Sequence, residues 1–373
     1  MKFFIIAGEA SGDVHGANLV REIKKIYSDA EFYGTGGPAL KELGQHQYFT
    51  AREMAIIGFV EVIKKAPLIF SLFKTINKAV KEVDPDVIIL IDYPGFNLRM
   101  AKKLKKQGRK VVYFIAPQFW VWNYKRIYTL RDYTDLTISI LPFEIPYLEK
   151  EKVNSIYVGN PIIDNFKFRF NTKEEFLNYC GFSGNRKIIG ILPGSREKEI
   201  TGLMESFMEA AKTYPDIDFV ISKADSIELD LIEKYVPKLN NFKILEKAQY
   251  DIIKYSDFLW ACSGTITLEA SVFEKPMIIV YTANKFNILI GKMVSKLRVF
   301  GLPNIMQGKE FLPEVHCIGD LKQRKERIIE GYNTALNNIE NIKEELSEIS
   351  VQFLGKTPSK TAAIEISKII EQK

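Results

Sequence analysis

At 373 residues the chain exceeds one ordinary core and is comfortable for two. With 46% hydrophobic and 26% charged residues it has a globular composition, which excludes a disordered or low-complexity protein. The net charge of +6 is mild and spread along helical stretches, so it reads as a solvated surface with a weak pull toward anionic lipid or phosphorylated ligands. No dense basic run with interleaved aromatics points to nucleic acid. Cys180, Cys262 and Cys317 lie far apart without metal-ligand spacing, which fits a reducing compartment. Three histidines are too few for a histidine metal cluster. The opening apolar stretch is too short for a signal peptide and nothing is long enough to span a membrane, so a cytoplasmic location is expected.

Taken in chain order, short apolar runs alternate with helical stretches. The first half offers strands at Phe3–Ala7, Val87–Ile91, Val111–Ile115 and Leu136–Ile140, with helices at Val14–Tyr27 and Leu98–Gln107. The pattern then restarts. Strands are expected at Ile188–Leu192, Phe219–Ser222, Phe258–Cys262 and Met277–Tyr281, with a helix at Gly202–Thr213. From Leu321 the tail is helical and charged, ending in a helix near Thr361–Glu371. Runs that are apolar without alternation suit parallel strands covered on both faces. The fold class expected is therefore α/β, with two Rossmann-like doubly wound domains facing a cleft. The boundary falls near Gly159-Asn160-Pro161 or in the polar stretch that follows, giving domains of about 1–165 and 166–349.

Ligands of open α/β sheets bind beyond the carboxyl ends of the strands, and that rule ranks the motifs. Gly8-Glu9-Ala10-Ser11-Gly12-Asp13 and Leu192-Pro193-Gly194-Ser195-Arg196 each follow a strand and open a helix. In the second, glycine admits a phosphate, the helix start offers N–H groups and a positive dipole, and Arg196 can pair with phosphate oxygens. A capping serine beside a surface arginine would look the same. Ser263-Gly264-Thr265 is equally well placed, with Glu269 one turn into the next helix and able to accept both hydroxyls of a ribose. Alone it reads as a capping-box helix start. Two anion-type loops in one half favour a nucleotide diphosphate.

Asp92, directly after a strand, is a candidate general base or a turn residue capping the next helix. Asp84-Pro85-Asp86 and Asp216-Ile217-Asp218 resemble metal-binding motifs but precede their strands, so no metal site is expected. Gly34-Thr35-Gly36-Gly37 is a weak signal, and the first glycine loop lacks the dinucleotide spacing G-x-G-x-x-G.

Met54–Val83 carries apolar bulk beside Lys64 and Lys65. A helix from Pro67 has a core stripe of Ile69, Phe73, Ile76, Val80 and Val83, yet Leu68 and Phe70 fall outside it. Val62, Ile63, Leu68, Ile69, Phe70, Leu72 and Phe73 therefore form a candidate membrane or acyl-chain patch. A well-buried helix start or a subunit interface is the alternative. Trp120 and Trp122 either line the cleft or fill a core.

In this order the motifs resemble the lipid-A-disaccharide synthase family, glycosyltransferases of the two-domain GT-B class. The likeness runs through Gly8–Asp13 with His15-Gly16-Ala17, Gly58-Phe59-Val60-Glu61-Val62, Asp92-Tyr93-Pro94-Gly95-Phe96-Asn97, Pro117 with Trp120-Val121-Trp122, Leu192–Arg196, Ser263–Glu269 and Leu302-Pro303-Asn304. Tyr93 and Gly95 depart from the alanine and aspartate of some members.

The resemblance implies an inverting, metal-free transfer without cofactors, joining UDP-2,3-diacylglucosamine to 2,3-diacylglucosamine 1-phosphate (lipid X) at the inner-membrane surface. It implies Asp92 as the base and Arg196, Glu269 and Asn304 at the donor site, joined by Gln307, Gly194, Ser195, Ser263, Gly264 and Thr265. Glu9, Ser11, Gly12 and Asp13 would wall the acceptor side. The last helix, about 350–373, would return to the first domain. A homodimer stays open. The competing readings are a UDP-N-acetylglucosamine 2-epimerase, another UDP-GlcNAc-dependent transferase of the same class, and a non-catalytic sugar-nucleotide-binding regulator.

Overall fold

The computed structural model describes residues 1–55, 66–120, 123–282 and 299–371, with the backbone alone at 55 and 66–69. The chain divides into two compact units, Met1–Asp164 with Gly355–Lys373, and Asn165–Leu354. Each is built on a parallel sheet.

In the first unit the strands are β1 (Lys2–Ala7), β2 (Glu31–Gly36), β3 (His46–Thr50), β4 (Val87–Ile91), β5 (Val111–Phe114), β6 (Leu136–Ser139) and β7 (Ser155–Tyr157). Their order across the sheet is β3-β2-β1-β4-β5-β6-β7. Helices α1 (Ala10–Ile26), α2 (Pro38–Glu42), α3 (Ala51–Ala55), α4 (Ala66–Val83), α5 (Pro94–Lys105), α6 (Arg126–Tyr133) and α7 (Ile145–Lys150) connect them.

Alternate residues of each strand feed opposite cores. Phe4, Ile6, Ile88, Leu90 and Tyr113 pack with α4 and α5 residues on one face. Phe3, Ile5, Ile89, Val112 and Phe114 pack with Leu19, Val20 and Ile23 of α1 on the other. Ala362, Ala363 and Ile366 join this second core. They belong to the last helix of the chain, Pro358–Glu371, whose Ser359 Oγ donates to Asp164 at 2.5 Å.

The second unit has α8 (Lys173–Cys180), β8 (Lys187–Leu192), α9 (Glu197–Ala211), β9 (Ile217–Lys223), α10 (Leu229–Glu233), β10 (Phe242–Glu246), α11 (Gln249–Tyr255), β11 (Phe258–Cys262), α12 (Thr265–Val272), β12 (Met277–Tyr281), α13 (Leu302–Gln307), β13 (Glu314–His316), α14 (Leu321–Asn337) and α15 (Ile339–Phe353). Its sheet runs β10-β9-β8-β11-β12-β13. Trp260 is fully buried at its centre, against Phe207, Phe219 and Tyr332.

The eight strands expected from sequence are present, with ends shifted by up to two residues. Five others, β2, β3, β7, β10 and β13, carry charged, glycine or polar residues and lacked an apolar signature. The weak Gly34–Gly37 motif is the end of β2, not a ligand loop. Helix α1 begins at Ala10 rather than Val14, because small residues let it pack directly on the sheet.

Helix α4 requires a correction. Leu72, read as part of a membrane patch, is 1% exposed and packs in the core with Ile76, Ala79 and Val80. Phe73 is partly buried and meets Phe96 at 4.3 Å between ring centres. Of the patch side chains described, Phe70 faces outward, at 74% exposure. Val62 and Ile63 lie outside the described residues, as do the side chains of Leu68 and Ile69. No helix among the described residues is long and apolar enough to cross a membrane.

Candidate functional site

Both sheets reverse their strand order once, between β1 and β4 and between β8 and β11. The crevice outside the carboxyl ends of two such strands is where open α/β sheets bind ligands. The loops after these four strands carry Gly8–Asp13, Asp92, Leu192–Arg196 and Ser263–Glu269.

In the second unit the reversal holds a cavity of about 300 Å³. Its lining includes Gly194, Ser195, Arg196, Ser263, Gly264, Thr265 and Glu269, which the sequence had singled out, and also Glu199, Ser222, Gln249 and Cys262. The two helix starts that meet there differ. At α9, Glu199 turns back and its Oε2 accepts the N–H groups of Ser195 at 2.9 Å and Arg196 at 3.1 Å. Those N–H groups, expected to face a phosphate, are taken by the chain's own carboxylate. The Arg196 guanidinium contacts Glu199 at 3.2 Å but its side chain is 82% exposed, so it can reorient to an anion. At α12 no side chain caps the helix, and Gly264 and Thr265 are exposed. That start presents N–H groups and the positive end of the dipole to the cavity.

Glu269 sits on the first full turn of α12 at 9% exposure. Burial pushes its carboxyl up to about 7, and a hydrogen bond from Gln249 opposes the rise. A half-ionised carboxylate in a cavity can accept hydroxyl groups.

Asn304 and Gln307 do not reach this cavity. Asn304 is fully buried and its amide is spent. Nδ2 donates to the Leu312 carbonyl at 2.8 Å and to Glu314 at 2.9 Å, while Oδ1 accepts from Phe311 and Leu312 at 3.1 and 3.0 Å. Gln307 Nε2 donates to the Glu345 carbonyl and to Glu348 of α15. Their expected ligand contacts are corrected to structural roles, organising the turn between α13 and β13 and its seat on α15.

In the first unit Asp92 lies at the end of β4 and Glu9 just beyond β1, whose last residues Ala7 and Ile91 are in register. Asp92 and Tyr93 both adopt left-handed backbone, with φ of 44° and 48°. Strain of this kind in non-glycine residues persists only where surroundings enforce it. Here Tyr113 Oη and Asn97 Nδ2 both donate to the Asp92 carbonyl, at 2.7 and 2.8 Å. Burial, with a smaller push from Glu9, raises the Asp92 carboxyl to about 6, while the Tyr93 N–H and Arg126 act the other way. A strand-end carboxylate near neutrality is suited to proton abstraction.

Sequence reading gave no role to Arg126 or Glu144 and did not foresee the contacts of Tyr93. Tyr93 packs its ring over Gly8 and donates its Oη to the Met54 carbonyl at 2.9 Å. Arg126, which opens α6, places a cation near Asp92. Glu144 is buried, accepts from Trp120 Nε1 at 3.0 Å and Ser139 Oγ at 2.5 Å, and is pushed by burial to about 7. It follows β6 by five residues, and the tertiary fold brings Trp120 to it. Trp120 is thereby a structural anchor in part, and Trp122 lies outside the described residues.

The expected acceptor wall needs a further correction. Glu9 and Ser11 are exposed, but Gly12 is buried against Ala7 and Ile91. Asp13 is 4% exposed and its carboxylate accepts the N–H groups of Gly37, Ala39 and Leu40 at 2.7, 3.0 and 3.0 Å, capping α2. Three of its roughly four lone-pair sites are thereby taken up inside the fold.

A family model described as lipid-A-disaccharide synthetase matches residues 3–370. The chain belongs to the lipid-A-disaccharide synthase family. Among its relatives, the lipid-A-disaccharide synthase of Nitrosococcus oceani is 35% identical over 320 residues, 83% of this chain and 81% of that protein. That of Persephonella marina is 34% identical over 368 residues, 93% of this chain and 95% of that one.

Solved structures that resemble this synthase-family chain include the UDP-GlcNAc 2-epimerase of Neisseria meningitidis bound to UDP-GlcNAc, with a TM-score of 0.61, 16% identity and all of both chains covered. The calicheamicin glycosyltransferase CalG4 has a TM-score of 0.63 at 13% identity, covering 100% of this chain and 98% of its own. These likenesses carry the fold, that of the GT-B transferases and the epimerases. The family match favours the synthase over the epimerase.

Proposed function

We propose that the chain joins UDP-2,3-diacylglucosamine to 2,3-diacylglucosamine 1-phosphate, giving a β-1,6-linked disaccharide and UDP. The observation that carries the donor half is one cavity lined by an exposed arginine, an uncapped helix start and a buried carboxylate. The diphosphate lies at the Gly264–Thr265 helix start with Arg196, and Glu269 accepts ribose hydroxyls. Asp92 takes the proton from the acceptor 6-hydroxyl. That oxygen bonds to the anomeric carbon of the donor, the bond from this carbon to the diphosphate oxygen breaks, and the configuration inverts. Arg196 and the helix dipole stabilise the charge gathering on UDP.

Exposed Phe70 supports a peripheral contact with the inner-membrane surface on its cytoplasmic side, beside the acyl chains of both substrates. Incubation with the two acylated substrates should release UDP and yield the disaccharide. Conversion of UDP-N-acetylglucosamine to its epimer, with no UDP released from the acylated pair, would refute the proposal.

A further inference from the structure

The turn before α11 is bent into an unusual shape. Lys247 adopts left-handed backbone with φ of 53°. The following Ala248 is buried at 1% exposure, and Gln249 opens the helix. This turn delivers the Gln249 side chain to the cavity, where Nε2 donates to Glu269 Oε2 at 2.8 Å. Gln249 and Glu269 come from different βα connections and meet at the cavity wall. With Oε2 engaged, Oε1 of Glu269 remains to accept from a ligand.

A ribose diol donates two hydroxyl protons, so an ionised and fixed carboxylate binds it better than a neutral, rotating one. Burial works against the ionised form of Glu269, and the Gln249 amide works for it. We propose that Gln249 is a positioning residue which holds Glu269 ready for the ribose and so sets the preference for ribonucleotide over deoxyribonucleotide donors. The inference rests on the reading of this cavity as a nucleotide-diphosphate site.

Calorimetric titration of the full-length protein with UDP and with 2′-deoxy-UDP tests it. The wild type should bind UDP at least about tenfold more tightly, because a site built to pair a hydroxyl rejects the analogue lacking it. Gln249→Met, equal in size but without a donor, should weaken UDP about tenfold and change 2′-deoxy-UDP about twofold or less, collapsing the preference. Gln249→Glu should do the same, and Gln249→Lys, which restores a donor, should recover most of it.

Retention of the wild-type preference in both the methionine and glutamate variants would overturn the inference alone. Equal weakening of both nucleotides would also overturn it, by showing a merely structural role. A wild type that fails to bind UDP, or binds both nucleotides alike, would overturn the reading of the cavity and the inference with it.

Discussion

Replacing Asp92 by asparagine should move activity and stability in opposite directions. The carboxyl is held at about 6 against an ordinary 3.8, chiefly by burial. A group whose folded value lies above its unfolded value binds more protons when folded, so the wild type loses stability as pH rises from about 4 to 6. At about 1.4 kcal/mol per decade, the charged form costs on the order of 2–3 kcal/mol above pH 6. Asparagine carries no charge, keeps an oxygen for the Tyr93 N–H, and tolerates the left-handed backbone at this position well.

The variant should therefore be more stable at pH 8, by roughly 4–12 °C in thermal midpoint for a unit of this size. The gain should shrink toward zero as pH falls to 4. Turnover should drop about 10²–10⁴-fold, the contribution of a general base. Thermal unfolding of both proteins across pH 4–8, with UDP release measured alongside, checks both halves. An asparagine variant with no stability gain at pH 8, or with near-normal turnover, would refute the reasoning.

Other expectations follow from single contacts. A Cβ on Gly8 would lie 2.4 Å from the Tyr93 ring, so Gly8→Ala should cost about 1–3 kcal/mol and most activity, with stability partly restored by adding Tyr93→Ala. Asn304→Ala removes four buried hydrogen bonds and should destabilise its unit by about 2–4 kcal/mol; weakened UDP binding at unchanged thermal midpoint would return Asn304 to ligand contact. Phe70→Ser should lower vesicle binding in a flotation assay while leaving the fold intact, whereas Leu72→Ser should unfold the unit at lower temperature. Donor affinity should fall as pH drops through about 7 and Glu269 takes up a proton, and Glu269→Gln should flatten that profile.

What could be read from the chain follows from where its signals are local. Central strands such as Ile88–Ile91 and Phe258–Cys262 are covered on both faces, and their unbroken apolar runs show it. Edge strands such as Ser155–Tyr157 are half-exposed and look like loops. Asp92, Arg196, Thr265 and Glu269 could be placed because strand, turn and helix start are contiguous in sequence. Glu144, Gln249 and Arg126 could not. Gln249 follows β10, a strand without an apolar signature, and the partners that define Glu144 and Gln249, Trp120 and Glu269, lie 24 and 20 residues away. The errors share one cause. Asp13 and Asn304 have the chemistry of ligand contacts, but backbone N–H groups elsewhere in the fold consume it first.

The two glycine loops, alike in sequence, thus do unlike work, and each glycine makes room for a different side chain of its own unit. Gly8 makes room for the Tyr93 ring, which fixes the backbone that presents Asp92. Gly194, at φ 111°, makes room for Glu199, since a Cβ there would lie 2.3 Å from Glu199 Oε2. Glu199 takes two N–H groups at the entry to α9, those of Ser195 and Arg196, and so weakens that start as an anion site. The uncapped α12 is left as the anion-seeking helix start at that reversal. On the proposed reading, a diphosphate at the α12 start has Arg196 on one side and Glu269 one helical turn deeper, both in the lining of the same cavity. The carboxylate that looks like an obstacle to phosphate then favours the α12 start by occupying the N–H groups of the first loop.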